Sequence, residues 1–278
     1  MGKAPIPGVD ISGRLLHLTL RTMAEKIFFE SSAGTGICGI LSGPVPTGKV
    51  PAAVLCHGFA TGKDGRTYVR LEKILNDAGV AALRFDFFGH GESGGELADI
   101  TVSEAADEAV RALANVRSRG YSPLGLMGSS FGGLAAVLAA AGTPGLACLA
   151  LKSPVSDTLA RLIADRDGQS LESWRSRGSI ALTDDEGSAL RLNYSFYEDA
   201  EAARGYDAAP GISVPTLIVH GGADETVPVD QSRRLESVLP KGRLEVVKGA
   251  DHRYSREADF EIMLEMISGF LIRHLTGT

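Results

Sequence analysis

Cysteine is scarce in this 278-residue sequence and forms no motif. Cys38, Cys56 and Cys148 lie far apart, their number is odd, and no CxxC pair occurs. This pattern argues against a disulfide framework and against a zinc knuckle. All three fall in apolar segments typical of strands, so we expect them to be buried as small hydrophobic side chains in a reducing compartment.

An excess of positive charge is also missing. The chain carries 28 Lys and Arg against 34 Asp and Glu, a formal net charge of -6, and no local run of basic residues interrupts that balance. A protein that follows the phosphates of a nucleic acid normally has a basic surface. We therefore expect no nucleic-acid partner.

Long hydrophobic runs are absent too. No segment approaches the roughly 20 apolar residues needed to cross a bilayer, and residues 1–7 lack the apolar core of a signal peptide. Ile6 stands where a myristoylation pattern needs Ser or Thr. The sequence predicts a cytoplasmic protein with no membrane span, and a leader removed upstream of this chain stays an open alternative.

The spacing of the apolar segments predicts an α/β fold. Three strand-like pieces separated by Gly and Ser indicate an antiparallel hairpin or meander at a sheet edge: Leu15–Leu20, Lys26–Glu30 and Ile37–Leu41. Beyond them, short continuous apolar runs alternate with helical patterns, which is typical of βαβ units around a buried parallel sheet. The runs are Ala52–Cys56, Val80–Phe85, Leu124–Met127, Ala147–Leu151, Pro215–Val219 and Leu244–Val247. The helical patterns are Tyr68–Asp77, Val102–Arg117, Phe131–Ala141, Asp230–Val238 and Arg256–His274.

Residues 154–211 break this alternation. The segment is polar, and a stretch this long between two strands is seldom without structure, so we predict a small helical cap over the C-terminal edge of the sheet. Its aromatic residues could line an acyl or aryl pocket together with Phe59 and Phe131, or could form the core of the cap itself, and both alternatives stay open. These residues are Trp174, Tyr194, Phe196 and Tyr197.

The length of the chain fits one large α/β domain with such an insertion. We predict a core in two parts, residues 1–153 and 212–278, interrupted by the cap at 154–211.

A candidate nucleophile lies in the only G-x-S-x-G match of the chain, Gly128-Ser129-Ser130-Phe131-Gly132. The match follows an apolar run and leads directly into a helical pattern, and this strand–turn–helix context is what a nucleophile elbow requires. The turn is tight, so the residues two before and two after the serine must be small. Ser130 is therefore the predicted nucleophile, whereas Ser129 does not sit midway between the glycines. The competing interpretation is a Gly/Ser turn without chemistry.

A serine hydroxyl needs a general base, and the base needs a carboxylate to orient it. In the chain order serine, acid, histidine, His252 is the predicted base because it lies in a loop between an apolar run and the last helical pattern. His274 falls inside that helix instead. Asp224 follows the run that ends at Val219 and is the predicted acid. Its competitors are Glu225, Asp230 and Asp251.

The backbone N–H of Phe131, directly after the nucleophile, is one predicted oxyanion donor, and that of Phe59 is the other. His57, beside Phe59, is expected to brace this loop rather than to act as a second base. The segment 89–94 fits G-x-G-x-x-G. A dinucleotide site would need a helix that opens on those glycines, and residues 96–100 intervene, so we predict an active-site rim loop.

These motifs together resemble the α/β-hydrolase superfamily over nearly the whole chain. The matches, in order, are HGF at 57–59, DFFGHGES at 86–93, GSSFG at 128–132, HGGADETVP at 220–228 and GADH at 249–252. The resemblance implies a mostly parallel sheet of about eight strands flanked by helices. Within the superfamily the chain is most similar to small-cap bacterial carboxylesterases, such as cinnamoyl (feruloyl) esterases and monoacylglycerol lipases.

The resemblance and the predicted triad together imply a serine carboxylesterase. Its expected substrates are small-molecule carboxylic esters with small to medium acyl or aryl groups, cinnamoyl-type esters included, and it needs no metal and no organic cofactor. Thioesters, lactones and peptides stay open as substrates of the same triad. A non-catalytic ligand receptor on the same scaffold is the alternative from another class. The oligomeric state is open, with a homodimer among the alternatives.

Overall fold

The computed structural model describes residues 22–157, 163, 170–183, 187 and 189–277, so the predicted strand Leu15–Leu20 lies outside the described residues. The strands in these ranges are β1 (Thr22–Glu30), β2 (Gly36–Pro44), β3 (Val50–Cys56), β4 (Ala81–Phe85), β5 (Tyr121–Ser129), β6 (Leu146–Lys152), β7 (Ser179–Thr183), β8 (Ala189–Asn193), β9 (Thr216–Gly221) and β10 (Gly242–Val247). The α-helices are α1 (Arg66–Asp77), α2 (Val102–Ser118), α3 (Phe131–Gly142), α4 (Leu171–Arg177), α5 (Ser195–Ala202), α6 (Gly205–Ala208), α7 (Val229–Val238) and α8 (Glu257–Thr276).

The main sheet of the described residues has eight strands in the order β1-β2-β4-β3-β5-β6-β9-β10. In this sheet β2 pairs antiparallel with both of its neighbours, β1 and β4. The other six strands, β4, β3, β5, β6, β9 and β10, run parallel to one another. The predicted α/β-hydrolase fold, with a mostly parallel sheet of about eight strands, is confirmed. Since parallel strands end at the same edge, the loops after β3, β5, β6, β9 and β10 meet there.

Helices cover both faces of this sheet, which explains the continuous apolar runs of its strands. Helices α2 and α3 pack on one face, and α1 and α8 pack on the other. The three cysteines are free and buried, in agreement with the sequence-based expectation. Among the described residues, no helix combines the length and apolarity needed to cross a membrane.

The inserted segment differs from the expected helical cap, because it also contains a two-stranded antiparallel sheet, β7 paired with β8. Gly178 adopts a φ of 71° and ends α4, so the chain turns into β7 immediately. In β7, Ile180 and Leu182 are buried and alternate with more exposed residues. This period of two is the strand pattern, and it was present in the sequence.

A buried carboxyl group in α2 makes the stability of the fold depend on pH. The Glu108 side chain is fully buried and accepts a hydrogen bond from the Phe88 N–H at 3.1 Å. Burial raises the pKa of Glu108 to about 8, with the neighbouring carboxylates of Glu104 and Asp107 adding to the rise and the Phe88 N–H opposing it. Between about pH 4.3 and pH 8, Glu108 in the folded protein therefore keeps a proton. The unfolded chain, with a glutamate pKa of about 4.3, has already released it in this range.

We expect this proton to stabilise the fold fully below about pH 4.3 and to lose its effect as the pH rises through about 8. Glu108→Gln keeps an acceptor for Phe88 but cannot titrate. Its free energy of unfolding should therefore fall less than that of the wild type between pH 5 and pH 9, as measured by urea denaturation. Glu265→Gln, at an exposed glutamate of α8, is the control and should follow the wild type. Parallel pH dependences of wild type and Glu108→Gln would contradict the prediction.

Candidate active site

Ser130 lies in a strained turn between β5, which ends at Ser129, and α3, which begins at Phe131. Its backbone has φ 53° and ψ -118°, an unfavourable combination for a residue with a side chain. A Cβ atom on Gly128 would lie 2.2 Å from the Gly132 carbonyl oxygen, and one on Gly132 would lie 2.1 Å from the His57 carbonyl oxygen. Both flanking glycines are therefore required for the turn that presents Ser130 at the start of a helix.

We expect Gly132→Ala to disrupt this turn. The new methyl group meets backbone that cannot move aside, so we expect the free energy of unfolding to fall by about 3 kcal/mol or more and Tm by about 10 °C. Gly142→Ala is the matched control in the same helix, where nothing outside the helix backbone lies within 4 Å of the added Cβ. Thermal denaturation followed by circular dichroism measures both variants, and equal Tm values would show that the turn tolerates a side chain.

The imidazole of His252 lies between Ser130 and Asp224, as expected for a general base that a carboxylate orients. His252 Nε2 is 3.1 Å from Ser130 Oγ, and His252 Nδ1 is 2.7 Å from Asp224 Oδ2. The three side chains come from the loops after β5, β9 and β10, so the parallel order of the sheet brings them together. The arrangement can move a proton from the serine hydroxyl to the imidazole.

The Asp224 side chain is fully buried and firmly held. Its Oδ1 atom accepts the N–H groups of Thr226 and Val227 at 3.0 and 2.7 Å. Burial alone would raise the pKa of this carboxyl. Hydrogen bonds from His220, His252 and the Val227 N–H outweigh burial and hold the pKa of Asp224 well below its usual range. Asp224 is thus a fixed negative charge behind the imidazole.

The other candidate acids and His274, the other candidate base, have different surroundings. Asp251 accepts the N–H of Ser255 at 2.9 Å, and Glu225 is exposed. Asp230 is exposed and pairs with Arg233 at 2.6 Å. His274 lies in the last turn of α8, against the ring of Phe270.

Sequence reasoning missed His220, a second histidine on the same carboxylate. Its Nε2 lies 3.2 Å from Asp224 Oδ2 and 2.9 Å from the Val227 carbonyl oxygen. Both partners are acceptors, so Nε2 carries the proton, and Nδ1 receives the Ser232 hydroxyl at 2.7 Å. The signal in the sequence was a histidine directly after an apolar run and four residues before the predicted acid.

The predicted oxyanion donors lie next to the nucleophile. Phe131 is the first residue of α3, and the first N–H groups of a helix have no intrahelical partner. Before Phe59, a Cβ added to Gly58 would come within 3.5 Å of Ser130 Cβ, so this loop runs against the nucleophile. The loop that carries Phe59 and the first residue of α3 therefore both lie beside Ser130.

Two buried histidines hold the loop around Phe59. His57 Nδ1 lies 2.7 Å from the Gly58 carbonyl oxygen, and its Nε2 accepts the Phe87 N–H at 2.9 Å. His90 Nε2 accepts the Ala60 N–H at 3.1 Å. Burial lowers the pKa of His57 to about 3, so this ring stays neutral and braces the backbone, as predicted from the sequence.

The glycine-rich segment 86–94 opens no helix. It wraps instead around the buried Asp86 carboxylate, which accepts the Lys63 ammonium at 2.7 Å and the Glu92 N–H at 2.9 Å. Burial would raise the pKa of Asp86, yet these bonds lower it. The segment is therefore a scaffold for the neighbouring loop, and the next α-helix begins only at Val102.

A cavity of about 710 Å³ opens beside Ser130, within the usual size range for sites that take small molecules. Its walls among the described residues include the loop with Phe59, segments 65–68 at the start of α1, 225–227 after β9 and 252–255 after β10. Ser129, Lys152, Val155, Ile163 and Phe260 complete the lining. In the same described ranges, no cluster of three His, Cys, Asp or Glu is placed to hold a metal ion.

The cap aromatics do not contribute to these walls as far as the structure describes them. Trp174 and Phe196 are fully buried, with their rings stacked at 6.4 Å. The Trp174 indole N–H donates to the Leu192 carbonyl oxygen at 3.1 Å, and Tyr194 stacks on Tyr197 at 5.2 Å. Of the two open alternatives, the geometry favours a core within the cap.

Comparison with known proteins adds an independent line of information. A model of the alpha/beta hydrolase family matches residues 53–261. The curated mouse protein named palmitoyl-protein thioesterase ABHD10, mitochondrial, is 25% identical over 222 residues, which cover 78% of this chain and 74% of that protein. The structure of Est1E from Butyrivibrio proteoclasticus with ferulic acid bound superposes with a TM-score of 0.75 at 26% identity, and the match covers 90% of this chain and 99% of that one. Mouse alpha/beta hydrolase domain-containing protein 10 gives a TM-score of 0.73 at 26% identity, with 89% and 98% covered.

Proposed function

This chain belongs to the alpha/beta hydrolase family, and on that premise we propose that it is a serine hydrolase that cleaves carboxylic esters. Ser130 is the nucleophile, His252 the general base and Asp224 the acid that orients it. The observation that carries the proposal is the continuous pair of contacts, 3.1 Å from Ser130 Oγ to His252 Nε2 and 2.7 Å from His252 Nδ1 to Asp224 Oδ2.

The reaction proceeds by acyl transfer in two halves. Ser130 Oγ attacks the carbonyl carbon while His252 Nε2 takes the hydroxyl proton, and the N–H groups of Phe59 and Phe131 hold the oxyanion. The tetrahedral intermediate expels the alcohol, which receives the proton from His252. Water, deprotonated by the same imidazole, then attacks the acyl-enzyme, and Ser130 regains its proton as the carboxylic acid leaves.

Two substrate classes have specific support. The cavity of about 710 Å³ accommodates a small acyl or aryl ester, and the Est1E structure holds ferulic acid, so the oxygen ester is the first candidate. The second candidate is a thioester, because the mouse relative is named a palmitoyl-protein thioesterase. A thiolate is a better leaving group than an alkoxide, so the same triad serves both.

Substrate pairs with identical acyl groups separate these candidates. We would measure kcat/KM for butyryl, octanoyl, palmitoyl and feruloyl groups, each as an oxygen ester and as a thioester, together with one amide. The proposal is supported if kcat/KM for the oxygen esters depends on the acyl group and if each thioester exceeds its oxygen ester by no more than its greater intrinsic reactivity predicts. A thioester preference beyond that reactivity favours the second candidate. No turnover of any substrate would refute both.

The cellular location and the assembly state stay predictions. The cytoplasmic location rests on the composition and the N-terminal sequence, and the mouse relative is named as a mitochondrial protein. A homodimer remains one alternative for the oligomeric state.

A further inference from the structure

Lys152, the last residue of β6, touches both sides of the proposed proton transfer. Its carbonyl oxygen accepts the backbone N–H of Ser130 at 3.0 Å, and its ammonium donates to the carbonyl oxygen of His252 at 3.0 Å. One residue thus ties the nucleophile turn to the loop that carries the base. The side chain also lines the catalytic cavity, although only 6% of the residue is exposed.

The surroundings of this ammonium are unusual for a buried cation. Its Nζ lies 4.9 Å from the centre of the Tyr254 ring, and among the described residues its one recorded hydrogen bond is the one to His252. The charged groups that face it are Asp224 after β9, and Asp251 and Arg253 after β10. Neither carboxylate forms a salt bridge with it in the described structure, so the charge is balanced only at a distance.

Burial lowers the pKa of Lys152 to about 8, and Arg253 adds to this effect while Asp224 and Asp251 oppose it. The side chain is therefore mostly charged at neutral pH. A buried charge with few acceptors is costly unless it is compensated. An apolar side chain of the same length would avoid that cost, so the structure keeps a cation where stability does not call for one.

We propose that Lys152 is a positioning residue of the hydrolase: its two contacts anchor the His252 loop to the nucleophile turn. The proposal rests on the proposed function. Proton transfer requires His252 Nε2 to stay within hydrogen-bond reach of Ser130 Oγ, and Lys152 bonds to the backbone of both residues.

The test compares Lys152→Met, which removes both the charge and the donor, with Lys152→Gln, which removes the charge but keeps a donor for the His252 carbonyl. NMR of the imidazole nitrogens reports whether the His252 ring keeps its contacts to Asp224 and Ser130, with the signal assigned by its loss in His252→Gln. This readout needs no substrate. Lys241→Met, at an exposed lysine, controls for the loss of one net charge.

We expect the His252 signals to change in Lys152→Met and to stay close to those of the wild type in Lys152→Gln, because only Lys152→Met loses the donor to the His252 loop. Lys152→Met should also lower kcat about 10–100-fold with little change in KM, whereas Lys152→Gln should retain more of kcat because the loop stays anchored. Lys241→Met should match the wild type in every readout. If Lys152→Met does not fold, Lys152→Leu takes its place in the comparison.

An unchanged kcat in folded Lys152→Met, or in the Lys152→Leu that replaces it, would overturn the anchoring role. Failure of the proposed function gives a different pattern: the wild type hydrolyses none of the esters or thioesters. In that case a change of the His252 signals in the same variant still decides whether Lys152 positions the imidazole.

Discussion

Ser130→Ala is expected to lower kcat about 10⁵–10⁶-fold while leaving the fold intact. In the proposed mechanism the hydroxyl oxygen forms the bond to the acyl group, and alanine has no atom that can replace it. Alanine keeps the Cβ atom, so the strained backbone at φ 53° and the start of α3 meet the same steric demands. Single-turnover measurements with an activated ester, together with circular dichroism, check both parts of the expectation.

Ser129→Ala is the matched control, because Ser129 precedes the nucleophile in the same turn and also lines the cavity. We expect its kcat to stay within about tenfold of the wild type, since its hydroxyl is not the one that faces His252. Comparable losses in the two variants would mean that the turn, and not the Ser130 hydroxyl, was disturbed. Wild-type activity in Ser130→Ala would rule out Ser130 as the nucleophile.

Asp224→Asn is expected to lower kcat about 10⁴-fold at neutral pH. The Oδ1 position must keep accepting the N–H groups of Thr226 and Val227, so the amide oxygen of asparagine takes that place and its NH₂ group faces His252 Nδ1. The imidazole then accepts at Nδ1 and carries its proton on Nε2. That tautomer cannot take the proton from Ser130.

Asp251→Asn and Glu225→Gln test whether the loss belongs to Asp224 alone. Both carboxylates lie close in sequence to a residue of the proposed triad, yet the carboxylate that contacts His252 Nδ1 is that of Asp224. We expect each variant to keep kcat within about tenfold of the wild type. A loss of 10³-fold or more in either variant, with a mild effect of Asp224→Asn, would reassign the acid.

The nucleophile turn was predictable because local sequence determines it. A Cβ atom on Gly128 or Gly132 would lie about 2 Å from backbone oxygen atoms. The turn therefore requires glycine at both positions, and this requirement is visible in the sequence as a short pattern. The alternation of apolar runs and helical patterns likewise predicted the parallel sheet, since strands buried on both faces need continuous apolar residues. The chain order of Ser130, Asp224 and His252 is the order of the loops after β5, β9 and β10.

Features that depend on contacts between distant segments were not predictable in the same way. His220 and Lys152 directly follow apolar runs that identify strands, but nothing in those runs shows that their side chains reach Asp224 and the His252 loop. The cap posed a different problem. Its β7–β8 pair follows a period of two over five residues per strand, too short to stand out within a polar segment, and the packing of Trp174 depends on both.

The separation of the triad along the chain has a consequence for how the protein acquires activity. Ser130 and His252 are 122 positions apart, and His252 follows β10, which lies at the edge of the described sheet and pairs there with β9. Bringing such distant segments together carries a cost in chain entropy. We therefore expect a chain in which β10 has not yet paired to hold Ser130 without its proposed base, and to be inactive. Recovery of hydrolase activity during refolding would time the pairing of β10, whereas circular dichroism would report the helices.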